Sequence, residues 1–156
     1  MTIQEGKPAP AFDLEGSDGR RHTLADYKGK TVVLYFYPKD DTPGCTKEAC
    51  TFRDLHQDIA KTGAVVFGIS KDSLASHKTF IEKYNLSFTL LSDPDAKVMT
   101  AYGAWGEKLM YGKPVTGVIR STVVIGPDGK VRKHWKTVRK AETHPEDVLE
   151  FLQSEN

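Results

Sequence analysis

The sequence predicts an α/β fold, a central mixed sheet flanked by helices, and three observations predict it. Two short runs, Thr31 to Tyr37 (TVVLYFY) and Ala64 to Ile69 (AVVFGI), are β-branched, aromatic or aliphatic at almost every position, the composition of strands covered on both faces. Each is followed by a segment with apolar residues near helical spacing, and a strand-helix-strand-helix alternation builds a parallel sheet through right-handed crossovers. Later, Ser121 to Ile125 (STVVI) and Val131 to Trp135 flank Gly126-Pro127-Asp128-Gly129 and read as a β-hairpin. Parallel and antiparallel signals together make the sheet mixed.

The elements follow in order. Phe12-Asp13-Leu14 and Arg21-His22-Thr23, joined by the turn residues Gly16-Ser17-Asp18-Gly19, form an N-terminal β-hairpin, and Thr23 to Tyr27 adds one helical turn. Thr31 to Tyr37 is the central strand. Pro38 to Gly44 breaks the chain, and a helix begins at Cys45 or just before it and runs to Lys61, with Cys45, Ala49, Phe52, Leu55, Ile59 and Ala60 on its apolar stripe. After the Ala64 strand, Leu74, Phe80, Ile81 and Tyr84 mark a helix over Ser73 to Tyr84, with Ser70 or Asp72 as its cap. Phe88 to Leu91 is a third strand, and Asp93-Pro94-Asp95 starts a brief helix through Tyr102. Gly103 to Arg120 has four glycines, one proline and no clear period, which predicts a long loop, more often functional than idle in a compact domain. Pro145 to Gln153 closes the chain as a helix. A hairpin, then βαβα, then ββα is the pattern of a thioredoxin-like sheet with an N-terminal addition.

Charge and composition exclude whole classes of function. The 156 residues carry 22 lysines and arginines against 21 aspartates and glutamates, a net charge of +1, so neither nucleic acid nor an anionic membrane finds an electrostatic footprint. The longest apolar run is about seven residues, against the ~20 of a membrane span. No repeat, low-complexity segment or linker divides the chain, and its length buries roughly 70% of the unfolded surface, so one domain over 1–156 is expected. The N-terminus MTIQEGKPAP lacks a basic region followed by an apolar one, which sets a cytoplasmic expectation. Two cysteines, Cys45 and Cys50, cannot staple a scaffold and suggest chemistry instead.

Cys45 follows a strand and stands at a helix N-terminus, where unsatisfied N–H groups and the macrodipole favour an anion. Bringing a thiol from an ordinary ~8.5 to ~6 takes ~3.4 kcal/mol, whereas a helix terminus supplies ~0.3–2. A cation must therefore approach from elsewhere, because Glu48, one turn along, opposes the neighbouring Lys39 and Lys47. Taken alone, Cys45 is as well read as a small buried hydrophobe. A metal site is not expected: His22, His56, His77, His134 and His144 are scattered, without ligand spacing to the cysteines and without a partner pattern that argues catalysis. The spacing is C-x4-C, so no C-x-x-C redox motif is present.

Pro38-x-x-x-Thr42-x-x-Cys45 matches the active-site motif of peroxiredoxins, and Cys45-Thr46-Lys47-Glu48-Ala49-Cys50 resembles the peroxiredoxin Q, or bacterioferritin comigratory protein, group. The likeness runs from Gly6-Lys7-Pro8-Ala9-Pro10-Ala11-Phe12 through Ser92-Asp93-Pro94 and Tyr102-Gly103 to Arg120-Ser121-Thr122-Val123-Val124-Ile125, nearly the whole chain. It implies a thiol peroxidase for hydrogen peroxide and organic hydroperoxides, without a cofactor, monomeric, and recycled by thioredoxin or a similar dithiol. Cys45 would be the peroxidatic cysteine and Cys50 the resolving one. Thr42 would hydrogen-bond peroxide and thiolate, Arg120 would supply the cation, Pro38 would shield the pocket, and the Gly44 and Cys45 N–H groups would complete the peroxide site. Glu48 would pair with Arg120 and orient it. The rivals are a disulfide oxidoreductase acting on protein substrates and a redox-sensing binding module. Trp105 and Tyr111 read equally as lining for an entrance or as packing, and Lys133, His134 and Trp135 as the solubility residues of an edge strand.

The implied disulfide carries a geometric consequence. On a regular helix Cys45 and Cys50 have Cα atoms ~8.6 Å apart. A disulfide tolerates only ~4.4–6.8 Å, so the first turns must unwind on oxidation.

Overall fold

The computed structural model describes residues 3–155; Met1, Thr2 and Asn156, the ends of the expected 1–156 domain, lie outside the described residues. Alternation along the central strand organises everything else. In β3 (Thr31–Phe36) and the residue after it, Val32, Leu34 and Phe36 point to one face of the sheet and Val33, Tyr35 and Tyr37 to the other, all essentially inaccessible to water. The second face is covered by α1 (Pro43–Lys61) through Cys45, Ala49, Phe52 and Ile59, by α2 (Leu74–Tyr84) through Phe80, and by α4 (His144–Ser154) through Val148 and Leu152. The first face packs on Phe12, on Met99 of the short α3 (Lys97–Ala101) and on Tyr102.

The sheet is mixed, in the order β2-β1-β5-β4-β3-β8-β9. β3 lies parallel to β4 (Ala64–Ser70), which lies parallel to β5 (Thr89–Ser92), and on its other side β3 runs antiparallel to β8 (Ser121–Ile125), the partner of β9 (Val131–Trp135). The expected N-terminal hairpin, β1 (Asp13–Gly16) and β2 (Arg21–Thr23), joins by antiparallel pairing of β1 with β5. A single 3-10 turn, Ala25–Tyr27, follows it.

Four expectations need correction. Gly103 to Arg120 is not a loop: β6 (Trp105–Met110) and β7 (Lys113–Val118) form a two-stranded hairpin closed by Tyr111 and Gly112, both at positive φ, as a primed turn requires. Its strands face water on most of their length, with Leu109, Met110, Tyr111 and Val115 exposed, so no buried face imprints a period on the sequence. The cap of α2 is Ser73, whose Oγ accepts from Ser76 N–H at 3.1 Å; Ser70 and Asp72 are engaged elsewhere. α3 starts at Lys97 rather than Asp93, because Asp93-Pro94-Asp95-Ala96 makes a turn with Ala96 left-handed, and the Asp93 carboxylate accepts from Met99 N–H at 2.8 Å. Trp135 does more than keep an edge soluble, since its ring packs edge-on against His144 and Phe151. No helix among the described residues is long and apolar enough to cross a membrane.

Candidate active site

β3 and β4 end at the same edge of the sheet, and the segment Pro38–Thr42 leaves that edge to enter α1. Pro43 occupies the first turn, where its missing N–H costs nothing. Thr46 N–H donates to Thr42 O at 2.8 Å, so the N–H groups of Gly44 and Cys45 precede the first intrahelical bond and are aimed out of the helix start. Thr42 holds the N-cap position in extended conformation, yet its hydroxyl does not cap: Oγ1 donates to Lys39 O at 2.8 Å. With its proton engaged there, Oγ1 keeps only its acceptor capacity.

Cys45 is buried and free. Arg120 reaches it from the end of the loop before the neighbouring strand, β8. Pairing of Phe36 with Ser121 in the antiparallel β3–β8 ladder brings Arg120 to the edge from which Pro38 leaves, and Val138 N–H fixes its carbonyl at 2.8 Å. Its Nη2 then lies 3.2 Å from Cys45 Sγ and its Nη1 donates to Glu48 Oε1 at 2.7 Å. Gly44 permits this approach, because a Cβ there would stand 3.2 Å from Nη2.

Glu48, three residues after Cys45 on the same helix face, has no exposure at all. Burial pushes its carboxyl up to about 7, while the charge and hydrogen bond of Arg120 pull the other way. Burial likewise opposes the charge on Arg120, but Glu48 and Cys45 outweigh it and hold the guanidinium above its ordinary value. One guanidinium thus serves two acidic groups in a nearly dry site. Two buried atoms beside it lack hydrogen-bond partners, Glu48 Oε2 and Tyr35 Oη from β3.

The structure brings Gly44, Cys45, Glu48 and Arg120 together, with Thr42 at the N-cap of the same helix and Pro38 exposed where the chain leaves β3. Cys50 is half-buried, also free, and stands five residues along the same helix. Trp105 is half-buried, packed on the first-face core with Lys71 Nζ 4.7 Å from its ring centre, while Tyr111 stands in solvent at the hairpin tip. Sequence reasoning missed Asp40 and His77, both buried, whose Oδ2 and Nδ1 lie 2.7 Å apart. His77 does have a partner, and the available signal was an aspartate inside the Pro38–Thr42 segment together with a histidine in the first half of α2.

A seven-stranded mixed sheet with a cysteine at the start of the helix after its central strand defines a thioredoxin-fold redox protein. The AhpC/TSA family pattern matches residues 5–134, and the chain belongs to that family. Peroxiredoxin Bcp of Bacillus subtilis is 47% identical over 152 residues, which cover 97% of this chain and 96% of that protein. Peroxiredoxin Q of Xanthomonas campestris superposes with a TM-score of 0.88 at 40% identity, covering 96% of this chain and 97% of that one. A structure of the bacterioferritin comigratory protein of the same organism, described for its alkyl peroxide reduction activity, matches with a TM-score of 0.89 at 38% identity, over 97% of this chain and 99% of that one. Thiol peroxidase chemistry is what this membership implies.

Proposed function

We propose that the protein reduces hydrogen peroxide and organic hydroperoxides through Cys45, resolves the product with Cys50, and is recycled by thioredoxin or a similar dithiol. What supports this reading is the Arg120 guanidinium, 3.2 Å from Cys45 Sγ and held there by Glu48. It adds to the helix terminus the cation that ionisation of a thiol requires.

The Cys45 thiolate attacks one peroxide oxygen, the O–O bond breaks, and the distal oxygen leaves as water or an alcohol after taking a proton. The N–H groups of Gly44 and Cys45 and the Arg120 guanidinium face the charge that builds on the oxygens, with Thr42 accepting from the peroxide hydroxyl. Cys45 is left as a sulfenic acid. The Cys50 thiolate attacks that sulfur, the S–S bond forms, and the oxygen departs as water. Both cysteines lie inside α1 in the reduced protein, so the helix start unwinds before the bond can close. An external dithiol then exchanges with the disulfide and restores both thiols. Glu48 orients Arg120, and Pro38 limits water at the site. The protein acts as a cytoplasmic monomer.

Peroxide turnover coupled to NADPH through thioredoxin and its reductase tests this. Sustained NADPH oxidation dependent on both peroxide and thioredoxin is expected. Reduction of protein disulfides without peroxide turnover would assign the chain to the oxidoreductase class instead.

A further inference from the structure

Asp40 is the middle residue of the Pro38–Thr42 segment, and it is buried. A carboxylate taken out of water needs donors on its oxygens. Tyr37 Oη donates to Oδ1 at 2.5 Å and Ser76 Oγ donates to Oδ2 at 2.8 Å, while His77 Nδ1 stands 2.7 Å from Oδ2. The other ring nitrogen of His77, Nε2, lies 2.9 Å from Leu91 O. A carbonyl oxygen only accepts, so Nε2 carries a hydrogen. A hydrogen also sits between Nδ1 and Oδ2, since two bare lone pairs at that separation in a dry interior would be left repelling and unsatisfied. The imidazole, with no exposure to water, therefore ties Asp40 to α2 while β5 fixes its orientation.

The backbone on either side is held too. Asp40 N–H donates to Asp72 Oδ2 at 2.8 Å, and Asp72 accepts from Ser70 Oγ at 2.7 Å on the same oxygen. Asp41, at a left-handed φ of 56°, is bonded by Lys83 Nζ and Tyr84 Oη from the exposed side of α2. One side-chain oxygen or nitrogen from each of Asp40, Asp72 and His77 falls within 4.8 Å of the other two, a spacing a cation could use, but each of these groups is already spent on a hydrogen bond. The segment before α1 is thus pinned to the sheet and to α2, and the pinning stops at Asp41, two residues before the helix begins.

We infer that His77, acting through Asp40, is a positioning residue for peroxide reduction: it holds the Pro38–Thr42 segment so that Thr42 meets the peroxide. This rests on the reading of Cys45 as the attacking sulfur. The side-chain amide nitrogen of asparagine overlays histidine Nδ1, and that of glutamine overlays Nε2. His77→Asn therefore keeps the donor to Asp40, His77→Gln keeps only the one toward Leu91 O, and His77→Leu keeps neither.

The experiment reads two rates on each reduced variant: peroxide consumption in a single turnover, and alkylation of Cys45 by iodoacetamide at the same pH. His77→Asn is expected near the wild-type peroxide rate, and His77→Gln and His77→Leu slower on the order of tenfold to a hundredfold, the cost of ångström-scale misplacement. Alkylation stays unchanged in all three, because Arg120 and the helix terminus are untouched. Equal peroxide rates in the Asn and Gln variants overturn the proposal, and that pair decides alone if His77→Leu does not fold. Wild-type protein that consumes no peroxide overturns the Cys45 reading, and this proposal with it.

Discussion

The first two turns of α1 each carry a cysteine, and the rest of the fold treats them differently. At the first turn Cys45 is buried, an arginine 75 residues away in sequence lies against its sulfur, and a buried glutamate fixes that arginine. Further along, Cys50 is half-buried, and among the described residues no guanidinium bonds its sulfur. Residue type and helix are the same for both. What separates them is the register of β3 with β8, which delivers Arg120 to one sulfur only. A thiol's reactivity is thus assigned by strands distant in sequence, and the helix decides only which face each sulfur presents.

Exchanging each thiol for a hydroxyl breaks the comparison most severely. Cys45→Ser abolishes peroxide consumption, whereas Cys50→Ser consumes about one equivalent, forms a sulfenic acid at Cys45 and stalls, because the first step needs one thiolate. Sulfenic-acid trapping with a stoichiometric peroxide assay distinguishes the two, and normal turnover by Cys45→Ser would reverse the assignment. Arg120→Ala comes next. The helix terminus alone falls short of the required ionisation by ~1.4–3.1 kcal/mol, so alkylation of Cys45 at pH 7 slows by about twofold to twentyfold and recovers at higher pH. Cys50 alkylation is unmoved. A Cys45 rate equal to wild type would remove Arg120 from the site.

Glu48 sharpens the comparison through stability. Its carboxyl stands at about 7 in the fold against 4.5 ordinarily, so the folded protein binds this proton more tightly than the unfolded chain does. The stability this contributes is whole below pH about 4.5 and is lost as pH rises through about 7, a change on the order of 3 kcal/mol. Glutamine mimics the neutral acid. Glu48→Gln and wild type therefore unfold alike near pH 4, and the variant is the more stable one above pH 7. Burial lowers His144 to about 4 and gives a slope of opposite sign, but it is common to both proteins and cancels in the difference. A pH-independent difference in denaturant midpoint would contradict the assignment.

The same contrast explains what the sequence made legible. β3, β4, α1 and α2 could be read because each buries a face, and burial writes its period into the chain. The β6–β7 hairpin could not, since Leu109, Met110, Tyr111 and Val115 stand in water and only the Tyr111-Gly112 turn hinted at it. In the site, Thr42 and Cys45 were legible through a motif of known spacing, and Arg120 through the wider family resemblance. Asp40 and His77 were not, because they are 37 residues apart and each alone is ambiguous: an aspartate in a turn-rich segment, a histidine on a helix. Only the parallel pairing of β3, β4 and β5, which carries α2 up against the Pro38–Thr42 segment, makes them a pair.

The proposed Cys45–Cys50 disulfide requires α1 to open, and hydrogen exchange across Pro43 to Phe52, before and after one equivalent of peroxide, tests this most directly. The reduced protein should protect the amides from Thr46 to Phe52 through the regular turns of α1, and the oxidised protein, with its Cys45–Cys50 bond confirmed by peptide mapping, should exchange them markedly faster. Equal protection in both states with that bond in place would show that the linkage forms without unwinding and would contradict the account.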